Sequence, residues 1–115
     1  MNLSSIEERR IRHNEIKQVT AALYEAKVKD YEILRVLMKI CNINRESAMS
    51  MLQFEKIIWY PCRELTQYLI LEKGFDAHDA NVFTYNIAKP RLESNTELRK
   101  LSPAKLFDAI NKDNK

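Results

Sequence analysis

The chain has 115 residues, a formal net charge of +3, 45% hydrophobic and 30% charged residues, a balance that suits one folded domain and excludes a disordered segment. It contains 1 Gly and 3 Pro, against usual shares of about 7% and about 5%. That excludes a Walker loop, a dinucleotide fingerprint and a G-x-S-x-G elbow, and it argues against a hairpin-rich β fold, whose tight turns depend on Gly, Asn and Asp.

In chain order the residues predict helices joined by short corners. Ser4 or Ser5 has a Glu three residues on, the capping-box spacing. Ile6, Ile16, Val19, Leu23 and Ala26 then recur on one helical face, which also holds His13, read as a core-edge histidine. Lys27 to Asp30 forms a polar joint, with Asp30 as the expected N-cap. Ile33, Leu34, Leu37, Ile40 and Cys41 give a second apolar face. Asn42 can end that helix in the left-handed conformation, and Asn44 can cap the next.

Ala48, Met51, Leu52, Ile58 and Trp59 line a third helix, widened by Phe54 and Ile57. Pro61 either kinks this helix or starts a new one. Leu65, Tyr68, Leu69 and Leu71 follow, and Gly74 makes the clearest stop, with Phe75 packing back on Ile70. Asp76 caps a helix through Val82, Phe83 and Ile87 that Pro90 should end. Ser94 with Glu97 repeats the capping-box spacing, and Ser102-Pro103 opens a last helix. The expectation is an all-α fold, a compact bundle of about six short helices in one domain over residues 1–115.

Cys41 and Cys62 are too few for a disulfide framework, and Glu7, Glu8, Arg9, Arg10 and Arg12 stand where a signal peptide would be apolar. A reducing, cytoplasmic setting is expected. The longest apolar run, Ile57 to Cys62, falls far short of the ~20 residues of a membrane span. His13 and His78 have no cysteine at zinc spacing, so neither metal nor cofactor is expected. Asp76, His78 and Asp79 cluster at a helix start, where acids complement the helix dipole. With no nucleophile or oxyanion donor beside them, they do not point to an enzyme.

The run Leu34 to Gln53 fits a helix-turn-helix, which spans about twenty positions and opens its second helix toward the major groove. Leu37, Cys41, Ile43, Ala48 and Met51 occupy its apolar positions, and Asn42 stands where a left-handed residue is needed. Met38 departs from the pattern: a small residue is usual there, because the two helices touch. Within a recognition helix over residues 45–53, Arg45 would reach a guanine edge and Asn44 or Gln53 an adenine edge, with Glu46, Met49 and Ser50 on the same side.

Arg9, Arg10, Arg12 and Lys17 form one basic cluster, and Arg99, Lys100 and Lys105 another. Either could contact phosphates, Arg9, Arg10, Arg99 and Lys100 above all, although interspersed Glu residues also suit a solvated surface. Trp59 and Tyr60 form an amphipathic aromatic pair beside Pro61, of a kind favoured at protein interfaces. Trp59 shares the apolar face of Ala48, Met51 and Leu52 and so suits a core as well, whereas Tyr60 points off that face as an expected exposed contact. Two functions follow as expectations. One is a small DNA-binding regulator acting as a homodimer on duplex DNA. The other is a helical adaptor or inhibitor that docks a protein partner through the surface of Trp59 and Tyr60 or an exposed helix face.

Overall fold

The computed structural model describes residues 5–113, so the expected cap at Ser4 lies outside the described residues. The fold is all-α, with no strand among the described residues. It comprises α1 (Ser5–Glu25), α2 (Asp30–Ile40), α3 (Arg45–Phe54), a π-helical segment (Glu55–Trp59), α4 (Tyr60–Leu71), α5 (Ala77–Val82), a second π segment (Phe83–Ala88), α6 (Lys89–Ser94), a 3-10 turn (Leu98–Lys100) and α7 (Pro103–Asp113). Because each π segment continues directly into its neighbours, these make five uninterrupted helical stretches plus the 3-10 turn. The expected count of about six is therefore corrected to five. The chain forms two compact units, one ending at Glu55 and the other beginning at Lys56.

The first unit is built from α1, α2 and α3. Its core is Ile16, Ile33, Leu37, Ala48 and Leu52, flanked by Val19, Leu23, Val28 and Met51. Only the later part of α1 reaches this core: Ile6 is 76% exposed and His13 is exposed too, contrary to expectation. Length explains this. A 21-residue helix extends about 32 Å, roughly twice the reach of α2 or α3, so its first turns project past the core of this unit.

α1 closes on Lys27, whose φ is 62°. The Val28 amide donates to Leu23 O at 3.1 Å and the Lys27 amide to Tyr24 O at 2.9 Å. This is a Schellman closure made without glycine. The joint also starts α2 one residue earlier than expected. Asp30 is the first helical residue, and Lys29 holds the cap position with no side-chain bond.

In the second unit Ile58, Cys62, Leu65 and Leu69 form one buried face, and Ala80, Thr84, Ala88 and Leu92 form another. Leu98, Leu106 and Ile110 complete the core. Thr84 is fully buried and is satisfied by the Thr66 hydroxyl at 2.9 Å. The Thr66 hydroxyl in turn lies 2.8 Å from the Cys62 carbonyl. Phe75 turns its ring edge-on to Phe107 at 6.1 Å and to Phe83 at 6.4 Å, so its aromatic partners come from farther along the chain than the expected neighbour Ile70.

Pro61 and Pro90 neither end nor restart a helix. Proline lacks an N–H and its ring clashes with the carbonyl four residues back. A wider turn relieves both problems, and each proline follows a π segment, sitting second in α4 and α6 respectively. The helix expected to stop before Pro90 thus runs on to Ser94. The turn beyond it is held by Asn95, whose Oδ1 accepts from the Glu97 amide at 3.0 Å, in place of the expected Ser94.

Burial pushes the Cys62 thiol up to about 11, above an ordinary value of about 8.5. The folded chain therefore keeps this proton where the unfolded chain has lost it. The resulting stability is complete below about pH 8.5 and is lost as pH rises toward about 11. The urea midpoint should fall over that window more steeply in the native chain than in Cys62→Ala. At neutral pH, iodoacetamide should label half-buried Cys41 and spare Cys62, as read by mass spectrometry.

Candidate nucleic-acid interface

The corner between α2 and α3 spans residues 41–44. The Cys41 amide closes α2 on Leu37 O at 3.1 Å. Asn42 then takes φ 54°, as expected of it. Asn44 caps α3, its Oδ1 accepting from the Ser47 amide at 2.8 Å. Three of the five apolar positions of the motif lie at the packed face: Leu37 and Ala48 are fully buried and Met51 is half-buried. Cys41 and Ile43 pack against the same core from the corner. Met38 is turned outward, 39% exposed. It therefore does not wedge the helices apart, and α2 and α3 meet through Ile33, Leu37, Ala48 and Leu52.

This packing leaves the other side of α3 open. Arg45, Glu46, Met49, Ser50 and Gln53 are all exposed. Phe54, expected to widen the buried side, is 46% exposed at the end of the same helix. Asn44 is exposed as well, but its oxygen is used by the cap. A bidentate adenine contact needs both amide atoms, so the cap sets Asn44 aside and leaves Gln53, near the end of α3, as the open one of the two expected adenine readers.

Arg9 and Arg10 are exposed on α1. Arg12, one helical turn beyond Arg9 and part of the same basic cluster, is engaged elsewhere and ties α1 to the corner: its guanidinium Nη2 donates to the Cys41 carbonyl. Between α1 and α3 lies an open groove of about 550 Å³. Arg9, Arg12 and His13 border it from α1, and Glu46, Ser47 and Ser50 from α3. Three of the expected contact residues, Arg9, Glu46 and Ser50, thus surround one groove. The signal available in the sequence was the spacing of Arg9, Arg12 and Ile16, which shares one helical face.

The remaining candidates belong to the second unit. Arg99 closes the end of α6: its Nε donates to Leu92 O at 2.7 Å and its Nη2 to Glu93 O at 2.9 Å. Lys100 is exposed and pairs with Glu97 at 3.6 Å. Trp59 is half-buried against the core, with Lys89 Nζ 5.1 Å from its ring centre. Tyr60, expected to be exposed, is half-buried beside Arg63, whose guanidinium carbon lies 5.8 Å from its ring centre. Among the described residues no group of three or more His, Cys, Asp or Glu could hold a metal ion, and no helix is long and apolar enough to cross a membrane.

The corner is testable by stability. Asn42→Val places a β-branched residue at positive φ and should lower unfolding free energy by roughly 1–2 kcal/mol. Asn42→Gly should stay within about 1 kcal/mol of the native chain. Asn44→Ala should cost about 1 kcal/mol through loss of the cap. All three are read from urea denaturation curves. No protein-family model, curated protein or solved structure matches the chain.

Proposed function

We propose that the protein is a small DNA-binding regulator that acts by binding alone, without cofactor or catalysis, and engages duplex DNA as a homodimer. The observation behind this reading is the α2–α3 corner. A four-residue turn with a left-handed Asn42 and a capped α3 leaves a row of polar side chains open to solvent. That is the arrangement by which a helix-turn-helix presents its second helix to the major groove.

Within this reading Arg45 forks onto a guanine edge and Gln53 onto an adenine edge. Arg9 and Arg10 supply phosphate contacts from α1, which fix register without reading sequence. The formal charge of +3 is small for a DNA reader, and a homodimer doubles both the charge and the contacts. The alternative, an adaptor docking a protein through Trp59 and Tyr60, draws on rings that are half-buried beside cations. The DNA reading draws on side chains already open to solvent and is preferred for that reason.

Fluorescence anisotropy with labelled mixed-sequence duplex tests the proposal. Micromolar or tighter binding is expected at about 50 mM salt, weakening steeply by about 200 mM as counterion release loses its drive. After selection of a preferred site, Arg45→Ala should relax discrimination at one base pair by about 1–3 kcal/mol. An absence of duplex binding at the lower salt would overturn the reading. Unchanged specificity in Arg45→Ala would remove α3 as the reading helix.

A further inference from the structure

The geometry points to the groove between α1 and α3 as a binding site for a small organic anion, with one anionic head on an apolar body. The groove lies wholly within the first unit, and its volume of about 550 Å³ falls in the range of small-molecule sites, about 300–1,000 Å³. Its lining divides by chemistry. Ile16, Ile43 and Met51 offer apolar surface. Arg9 and Arg12 offer two guanidinium groups on successive turns of α1, and the hydroxyls of Ser47 and Ser50 lie on the α3 side. Convergent polar groups over apolar surface are the general composition of a ligand site.

Arg12 is the anchor of this site. Its Nη2 is fastened to the Cys41 carbonyl, which holds the side chain in place while its other N–H donors stay available. A guanidinium offers five donors in a planar fork, so it can hold the corner and an anion together. A donor fixed beforehand costs less ordering on binding. Glu46 adds the one acidic group to the lining. It disfavours a second negative charge, so the ligand class is a monocarboxylate and not a phosphate monoester, which is largely dianionic at neutral pH.

The probe is phenylacetate, with acetate as head alone and benzyl alcohol as body alone. Each is titrated into the full chain at low salt and followed by amide NMR shifts. No DNA is present, so the outcome is separate from the regulatory reading. Phenylacetate should saturate shifts at Ile43, Ser47 and Ser50, and bind at least about tenfold tighter than either fragment. Arg9→Gln and Arg12→Gln should each raise its Kd about tenfold, the scale of one charge-assisted hydrogen bond. Glu46→Gln should lower it a few-fold. Arg9 is exposed on the surface, so its variant decides the matter even if Arg12→Gln unfolds the corner. Shifts that do not saturate, equal binding of acetate and phenylacetate, or an unchanged Kd in Arg9→Gln would each overturn the site.

Discussion

A chain with a single glycine must turn its corners on residues that carry a Cβ, and the first unit rests on two such corners. Lys27 and Asn42 both sit in the left-handed region, where an L-residue is held at a cost of roughly 1–2 kcal/mol. Each is over-determined by its surroundings. Val28 seats against the core just after Lys27. Arg12 grips the carbonyl just before Asn42, and Asn44 closes the first turn of α3 just after it. The exposed face of α3 is therefore a consequence of how the backbone turns between residues 41 and 44. Without that turn, Ala48 and Leu52 could not enter the core while Arg45 and Gln53 remain in solvent.

The second unit solves a different problem, two prolines within helices. The same wide turns that admit Pro61 and Pro90 also help the packing. In an ideal helix a step of four residues drifts by about 40°, so Ala80, Thr84, Ala88 and Leu92 would spiral off one face. The π segment at Phe83–Ala88 takes more residues per turn and cancels part of that drift. All four side chains end up buried. Three of them are small, which lets the helix approach its neighbours closely. The hydroxyl that this places inside finds its partner in Thr66.

Local chemistry made much of this legible from the residues alone. The all-α class followed from the scarcity of glycine and the helical spacing of apolar residues. The caps at Asn44 and Asp76 and the corners at Asn42 and Gly74 were readable because each depends on one side chain or one backbone angle. What escaped was longer in range. Pro90 signals an end to a helix unless the preceding turn can widen, and nothing nearby announces a π segment. Ile6 fits the helical period, but period cannot say where the packing partners of a long helix run out. Of the candidate site, the α3 face was legible as a row of polar positions. The groove was not, because it depends on α1 folding back beside α3, and the Arg12 bond to Cys41 joins residues 29 apart in sequence. Arg99 looked like a phosphate contact because a basic cluster says nothing about nearby open carbonyls.

The π segment at Phe83–Ala88 also bears on how this chain tolerates changes of length. Adding a residue to a helix ordinarily rotates everything beyond it by about 100°, turning a buried row to solvent. A turn that already holds surplus residues confines that rotation to itself. Dropping one residue there would restore the tighter α-helical winding but bring Pro90 back against an unwidened turn. The segment thus works as a length buffer. It keeps Ala80 on one side and Leu92 on the other in register, and Pro90 sets the direction in which that register can change.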